Sequence, residues 1–163
     1  MPESTRSLYT ARLPLFPLST GLEKRPSGAV LAIAGLPLDI LAERYGTPLY
    51  LYDQSTLDEA VMAYRQALQQ YYPGEAGLTY AGKAFLCTAL AQWALRRGLW
   101  LDCTGVGEMT IALHGGALRS SIVVHGVNKS PADLELALAQ AGTIVVDHLD
   151  ELQRLVELRP QAS

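Results

Sequence analysis

The stretch Thr79-Tyr80-Ala81-Gly82-Lys83-Ala84-Phe85 decides how this chain is interpreted. Its aromatic and β-branched residues favour a strand. Successive side chains of a strand point to opposite faces, so Ala81 and Lys83 are predicted to share one face. A helical pattern follows directly, over residues 88–97. Because parallel α/β folds place their chemistry at the carboxyl ends of the strands, Lys83 is predicted to lie at a functional edge.

Lys83 has two interpretations at this position. Lysine side chains are mostly exposed, so the ordinary interpretation is a solvated lysine at the end of a strand. The alternative is a lysine that loses its proton on desolvation and attacks a carbonyl group, as in pyridoxal-phosphate enzymes. The stretch alone favours the ordinary interpretation, and the rest of the chain has to decide between them.

Composition limits the kind of protein. The 163 residues suit one domain, but a closed eight-stranded barrel typically needs about 250. With 49% hydrophobic and 18% charged residues the chain is predicted to be globular. A net charge of -3 without a basic stripe argues against nucleic-acid binding. No signal peptide or membrane span is expected. The two cysteines have no metal-type spacing and suggest reduced thiols in a cytoplasmic protein.

The first 72 residues are predicted to form two segments. Residues 1–27 carry several prolines and are expected to be an arm with little regular structure. Residues 28–72 form an N-terminal segment of strands and helices. Its strands are predicted over residues 29–33 and 48–52, and its helices over residues 38–45, ended by Gly46, and 56–71, capped by Asp53 or Ser55.

Residues 73–163 show four short apolar runs, each followed by a helical pattern. The strands are predicted over residues 78–83, 99–102, 121–125 and 143–146, and the helices over residues 88–97, 107–114, 131–141 and 148–158. This alternation is typical of a parallel sheet covered by helices. The fold class is therefore α/β, about half of a (β/α)8 TIM-type barrel. An open edge at residues 143–146 is expected to pair with another strand.

The four predicted strands end in polar residues, namely Lys83, Asp102, His125 and Asp147. In a parallel barrel these ends meet at one mouth, where Asp102 could pair with Lys83. Each residue also has a simpler interpretation. Asp102 and Asp147 would be helix N-caps, and His125 a buried histidine. Lys129, in the loop after His125, is predicted to be solvated.

Four passages in the same order resemble the diaminopimelate decarboxylase family, in the alanine-racemase-like (fold type III) class of pyridoxal-phosphate enzymes. Residues 41–52 (LAERYGTPLYLY) are similar to the family's LAEEYGTPLYVYD, and residues 80–84 (YAGKA) to YAxKA. Residues 102–109 are similar to DVxSGGEL, and residues 125–130 (HGVNKS) to HGNNKS. Each motif alone is weak, but four in register make a specific resemblance.

The resemblance implies the chemistry of the site. The cofactor would be pyridoxal 5'-phosphate, with Lys83 as the lysine that carries it. Asp102 and His125 would line the cofactor pocket beside Ala81, with Glu108 in support. No metal is implied. The reaction would be decarboxylation of meso-diaminopimelate to L-lysine, in lysine biosynthesis, by a cytoplasmic homodimer acting on a small amino acid.

Two departures from the family qualify what is expected. Gly105 stands where the family has Ser or Thr, and Thr104 lies one position earlier. The family's phosphate loop, its stacked histidine, its acidic partner of the pyridine nitrogen and its cysteine acid have no match in the chain. The chain is therefore expected to be an N-terminal part, inactive alone. Its strands over residues 29–33 and 48–52 would pair with a missing C-terminal β-domain.

Three other interpretations remain open at this point. One is another decarboxylase of the same class, acting on ornithine, arginine or carboxynorspermidine. The second is a non-catalytic pyridoxal-phosphate-binding module, which would keep Lys83. The third is a half-barrel that only folds and assembles. Residues 41–52 argue against the module, because small binding proteins of this class lack that passage.

Overall fold

The computed structural model describes residues 15–159. The chain divides into two compact units, Met1–Pro73 and Gly74–Ser163. Within the described residues, none of the helices combines the length and the hydropathy that a membrane span requires.

The first unit contains an antiparallel sheet of strands β1 (Thr20–Arg25), β2 (Gly28–Ile33) and β3 (Leu36–Pro37), in that spatial order. Strand β1 pairs with β2 from Thr20 opposite Ile33 to Arg25 opposite Gly28, so residues 26 and 27 form a tight hairpin.

The prediction of an irregular arm over residues 1–27 is therefore wrong for Thr20–Arg25, whereas residues 1–14 lie outside the described part. Glu23, Lys24 and Arg25 give this strand the charged character that is common at sheet edges. That character hides the strand from a search for apolar runs. The predicted strand at residues 29–33 is confirmed as β2.

Two helices complete the first unit. Helix α1 (Leu38–Tyr45) ends at Gly46, whose φ of 80° is favoured by glycine and whose N–H bonds to the carbonyl of Ala42. Helix α2 (Gln54–Tyr71) begins after Asp53, whose carboxylate accepts a hydrogen bond from the N–H of Thr56 at 3.0 Å. Both predicted caps, Gly46 and Asp53, are confirmed.

The strand predicted over residues 48–52 is not formed. The sequence pattern of this segment is typical of a strand, but no strand of the described chain pairs with it. A strand needs such a partner for its backbone hydrogen bonds. Tyr50 in this segment is 89% exposed.

The second unit is a four-stranded parallel sheet in the order β4-β5-β6-β7, with a helix after each strand. The strands are β4 (Thr79–Ala81), β5 (Trp100–Cys103), β6 (Ile122–Val124) and β7 (Thr143–Ile144), and the helices are α3 (Thr88–Arg96), α4 (Val106–His114), α5 (Pro131–Gln140) and α6 (Leu149–Leu158). The predicted four strand–helix units of a parallel α/β fold are confirmed. Neighbouring helices pack against each other and α3 and α4 pack on the central strands, which buries Leu101, Ile122 and Met109 completely.

Strand β4 is shorter than predicted. It ends at Ala81, and Gly82–Ala84 form a 3-10 turn that is closed by a hydrogen bond from the N–H of Phe85 to the carbonyl of Gly82 at 3.0 Å. Strand alternation therefore does not reach Lys83, and the prediction that Lys83 shares a strand face with Ala81 is wrong. Lys83 instead lies in the turn that directly follows the strand.

Candidate functional site

The carboxyl ends of the parallel strands bring three predicted site residues to one edge. Ala81, the last residue of β4, is in register with Asp102 on β5. The N–H of His125 donates to the carbonyl of Cys103 at 2.9 Å, which continues the pairing of β6 with β5. Ala81, Asp102 and His125 therefore lie side by side because the parallel register places them there.

Asp102 faces His125 across this edge. The Nδ1 atom of His125 lies 3.8 Å from Oδ2 of Asp102, and the side chains are 61% and 23% exposed respectively. The interpretation of His125 as a buried histidine is therefore wrong. Helix α4 begins four residues after Asp102, and its N-cap is Gly105, so the interpretation of Asp102 as an N-cap is also wrong.

The other carboxylate oxygen of Asp102, Oδ1, is buried and has no hydrogen-bond partner among the described residues. Buried polar atoms are nearly always paired in proteins. An oxygen in this state at the carboxyl edge of a parallel sheet is a place where a ligand can supply the missing donor.

Lys83 lies beside this edge with an exposed side chain. The turn Gly82–Ala84 that carries it packs against β5. The pairing of Asp102 with Lys83 that the sequence suggested is not formed in the described structure, where the side chain of Asp102 faces His125.

Glu108, in the first turn of α4, lies against Gly82 in the turn that carries Lys83. Its Oε2 accepts a hydrogen bond from the N–H of Thr104 at 2.6 Å. A Cβ added at Gly82 would lie 2.9 Å from the same oxygen and 3.1 Å from the carbonyl oxygen of Asp102. A larger residue at position 82 would therefore require the Glu108 carboxylate to shift away from the turn that carries Lys83. The sequence suggested a supporting role for Glu108 but not this contact.

Asp133 is a site-building residue that the sequence interpretation missed. Its Oδ2 accepts from the N–H of Ser130 at 2.8 Å, and its Oδ1 accepts from the N–H of Val106 at 2.7 Å. Asp133 thus joins the start of α5 to the start of α4. These hydrogen bonds, that from the Ser130 hydroxyl first, lower the pKa of Asp133. A signal was available, because Ser130 and Asp133 have the spacing of a capping box.

Gly105 is also explained by Asp133. A Cβ at Gly105 would lie 2.8 Å from Oδ1 of Asp133. The carboxylate thus occupies the space that the family's Ser or Thr side chain would need at this position.

Lys129 and Asp147 differ from their predictions. Lys129 was predicted to be solvated, but its side chain is fully buried, with Nζ 2.8 Å from Oε1 of Glu151. Asp147 was interpreted as a helix cap. The cap of α6 is instead His148, whose Nδ1 accepts from the N–H of Glu151 at 3.2 Å.

Cys103 lies at the end of β5, next to Asp102, and is completely buried. Burial, followed by the negative charges of Glu108 and Asp102, raises the pKa of its thiol to about 12. The thiolate is the reactive form of cysteine, so Cys103 is an inert packing residue at neutral pH. Among residues 15–159 there is no cluster of three or more His, Cys, Asp or Glu side chains that could hold a metal ion.

These residues fit pyridoxal phosphate. The aldehyde of that cofactor reacts with an accessible lysine amine, and Lys83 supplies one at the carboxyl edge of the sheet. The cofactor carries positive charge on its ring or on its link to lysine, and Asp102 supplies a buried carboxylate oxygen that lacks a partner in the described structure. His125 offers an exposed ring on the same edge.

Comparison with known proteins gives the class. Residues 55–163 match the family described as pyridoxal-dependent decarboxylase, pyridoxal binding domain. The chain belongs to this family, and the cofactor of the family is pyridoxal phosphate.

Individual relatives narrow the class further. The chain is 41% identical over 140 residues to the diaminopimelate decarboxylase of Mycobacterium tuberculosis, which covers 85% of this chain and 30% of that relative. It is 42% identical over 123 residues to the diaminopimelate decarboxylase of Bacillus methanolicus, covering 75% of this chain and 28% of the relative. The chain therefore spans about a third of the length of the curated relatives that it matches.

Solved structures agree with the fold. The diaminopimelate decarboxylase of Helicobacter pylori in complex with L-lysine matches with a TM-score of 0.65 and 27% identity, over 74% of this chain and 30% of that one. The structure of AQ1208 from Aquifex aeolicus matches with a TM-score of 0.72 and 32% identity, over 84% of this chain and 33% of that one. The prediction of a partial barrel of the fold type III decarboxylases is confirmed.

Proposed function

We propose that the chain is the cofactor-carrying N-terminal part of a decarboxylase that removes the carboxylate at the D-centre of meso-diaminopimelate and yields L-lysine. The relatives with 35–42% identity are named diaminopimelate decarboxylase, and the structure of the Helicobacter pylori enzyme contains L-lysine. The small-molecule ligand is in this proposal an amino acid.

One observation about the lysines carries the proposal. The chain has three lysines, Lys24, Lys83 and Lys129. Lys129 is buried in an ion pair with Glu151, and Lys24 lies on β1 in the other unit. Lys83 is exposed at the carboxyl edge of the parallel sheet, in the turn that directly follows Ala81. It is therefore the lysine that is both accessible to the cofactor and placed at the chemistry-bearing end of the strands.

Each residue of the edge has a role in this proposal. Bound pyridoxal phosphate supplies an electron-withdrawing ring that takes up the electrons left when carbon dioxide departs. Lys83 would hold the cofactor through its side-chain amine. Asp102 stabilises positive charge near the lysine, since an opposite charge within about 4–6 Å favours a charged form. His125 and Ala81 line the pocket, and Nδ1 of His125 lies 3.8 Å from Oδ2 of Asp102.

The domain organisation follows from the same proposal. Residues 73–163 form half of the cofactor-binding barrel, and residues 28–72 contact a C-terminal β-domain. Of the predicted arm over residues 1–27, Thr20–Arg25 belong instead to the antiparallel sheet of the first unit. The 163-residue chain alone is expected to be inactive and to bind the cofactor weakly, since a phosphate is normally held by backbone N–H groups of a further loop. The full-length enzyme is proposed to be a cytoplasmic homodimer.

A second substrate class has a specific observation in its favour. The lysine/ornithine decarboxylase of Vibrio vulnificus in complex with putrescine matches with a TM-score of 0.59 and 26% identity. Both values are below those of the Helicobacter pylori diaminopimelate decarboxylase, at 0.65 and 27%. Diaminopimelate is therefore the preferred substrate of the proposal.

The test is carbon dioxide release by the full-length protein with pyridoxal phosphate. Separate assays would contain meso-diaminopimelate, L-ornithine, L-arginine and carboxynorspermidine, with Lys83→Ala as the inactive control. The expected result is preference for meso-diaminopimelate and formation of L-lysine. Preference for ornithine or arginine would move the protein to the second class. Cofactor binding without carbon dioxide release from any of the four would favour a binding module.

A further inference from the structure

The loop that carries His125 is held by a buried ion pair. Nζ of Lys129 lies 2.8 Å from Oε1 of Glu151, and the two side chains are 0% and 2% exposed. Lys129 lies four residues after His125, in the loop between β6 and α5, and Glu151 lies in the first turn of α6. The pair therefore links two neighbouring strand–helix units at the carboxyl edge of the sheet.

Further hydrogen bonds extend this link to the end of β7. Nζ of Lys129 also donates to the carbonyl of Val145 at 2.9 Å. The N–H of Val145 in turn donates to the carbonyl of Val124, the residue before His125, at 2.9 Å. Val145 is thus hydrogen-bonded both to Lys129 and to Val124, and it connects Lys129 with the strand end that carries His125.

The opposite end of the loop is fixed on the other neighbour. The N–H of His125 bonds to Cys103, and a Cβ at Gly126 would lie 2.6 Å from the carbonyl oxygen of Thr104. Between these two attachments Asn128 turns the chain with a φ of 55° and Val127 is 78% exposed. The loop is consequently a bridge, and its side toward α6 depends on Lys129.

Stability is a poor reason for placing this pair in the core. Burying two charges carries a desolvation penalty that can exceed their attraction, and apolar side chains of similar volume are often as stable. The second oxygen of Glu151, Oε2, is buried and without a hydrogen-bond partner among the described residues, which adds to the penalty. What the pair supplies beyond burial is a fixed direction, since Nζ joins Glu151 and the Val145 carbonyl at once.

We propose that Lys129 and Glu151 are positioning residues that hold the loop 125–130, and with it the His125 ring, in place beside Asp102. The role in catalysis rests on the proposed function, whereas the hold on the loop can be measured without it. Neither residue touches the site itself, so both act through His125.

The experiment compares variants of the full-length protein. The double variant Lys129→Met/Glu151→Leu replaces the pair by apolar side chains, and Glu151→Gln keeps Oε1 but removes the charge that strengthens its bond to Lys129. Arg25→Gln/Asp39→Asn removes the 2.6 Å ion pair of the first unit and is the matched control. Hydrogen exchange is followed at residues 125–130 and 79–84, together with kcat, KM and thermal unfolding.

The double variant is expected to exchange its 125–130 amides about tenfold faster, with residues 79–84 unchanged, since a segment that loses its ties opens locally. Its kcat should fall by about tenfold to a hundredfold with little change in KM, because small misplacements of site groups have effects of this size. Glu151→Gln should lie between the double variant and the wild type, and the control should match the wild type.

Native exchange and native kcat in a folded double variant would overturn the proposal. If the double variant does not fold, Glu151→Gln decides, and unchanged exchange at residues 125–130 in that protein is equally contrary. If kcat falls only in proportion to the melting temperature, in the double variant and in the control alike, the pair Lys129–Glu151 has a structural role alone. If the wild type releases no carbon dioxide from any substrate, the proposed function fails, and the exchange data still decide the hold on the loop.

Discussion

Asp102 lies one residue before the end of β5, His125 directly follows the end of the neighbouring strand β6, and Nδ1 of His125 lies 3.8 Å from Oδ2 of Asp102. Strands β5 and β6 pair Asp102 with Val123 and Cys103 with Val124, and the N–H of His125 continues this pairing to the carbonyl of Cys103, which brings His125 beside Asp102. His125 is the first residue after β6, and its imidazole is exposed. The other carboxylate oxygen of Asp102, which is buried and has no hydrogen-bond partner within residues 15–159, lies on the same edge.

Asp102→Ala is the prediction that follows for charge at the site. In the full-length protein with cofactor, a nearby negative charge favours the protonated form of the link between Lys83 and the cofactor. Removal of the Asp102 carboxylate should therefore make this link easier to deprotonate. The pH titration of the visible absorbance should move to lower pH. Glu157→Ala, which changes an exposed carboxylate near the end of α6, is the control. An identical titration in Asp102→Ala and wild type would exclude the electrostatic role.

Lys83 should be the residue that carries the cofactor. Borohydride reduction of the loaded full-length protein, followed by peptide mapping, should place the label in the peptide of the 3-10 turn Gly82–Ala84. Lys83→Arg should prevent labelling, because the guanidinium stays protonated and is no nucleophile. Lys24→Arg, on the exposed face of β1, should label as the wild type does. A label on Lys24 or Lys129 would refute the assignment.

The strand–helix order of the second unit could be predicted from the sequence because the information is local. Each strand is a short apolar run, and each helix has its own periodicity and boundary signals, as with Ser130 and Pro131 at the start of α5. The ends of the strands, and hence Asp102 and His125, follow from that order, since parallel strands share one carboxyl edge.

Features that depend on distant partners could not be predicted in this way. Burial of Lys129 requires Glu151, 22 residues away, and either charge alone reads as solvated. Strand β1 is recognisable only through its pairing with β2, because its own residues are largely charged or small. The turn at Lys83 depends on the bond from Phe85 to Gly82 and on Glu108 packed against Gly82.

Gly82→Ala should destabilise the protein and disturb the Lys83 turn. The added Cβ meets Oε2 of Glu108 at 2.9 Å and the carbonyl oxygen of Asp102 at 3.1 Å. Overpacking of this kind typically lowers the free energy of unfolding by about 1–3 kcal/mol. Glu108 would also have to leave the N–H of Thr104.

Gly107→Ala is the matched control for that substitution. It is the second residue of α4, with nothing within 4 Å of an added Cβ. Alanine at this first-turn position should leave the free energy of unfolding unchanged or raise it, by at most about 0.5–1 kcal/mol relative to glycine. Chemical denaturation of both variants in the full-length protein measures the difference. Equal stabilities would show that the space around Gly82 is not restricted.

Asp133 should contribute stability that depends on pH. Its carboxylate accepts hydrogen bonds from the N–H of Ser130, the hydroxyl of Ser130 and the N–H of Val106, at 2.8, 2.6 and 2.7 Å. Loss of a capping carboxylate of this kind lowers the free energy of unfolding by about 1–2 kcal/mol, so Asp133→Ala should be destabilised by this amount at pH 7.

The pH dependence follows from the lowered pKa of Asp133, whose first cause is the hydrogen bond from the Ser130 side chain. A carboxyl group with a lowered folded-state pKa stabilises the protein fully above its unfolded pKa of about 3.9, and this contribution disappears as the pH falls through the folded pKa. The difference in unfolding free energy between wild type and Asp133→Ala should therefore be largest at neutral pH and shrink below about pH 3.9.

Asp133→Asn keeps one acceptor oxygen and no titrating group, so its deficit relative to wild type should also shrink in acid, from a smaller starting value. Urea denaturation of the three proteins from pH 7 to pH 3 checks the prediction, and a deficit of Asp133→Ala that is constant across this range would contradict it.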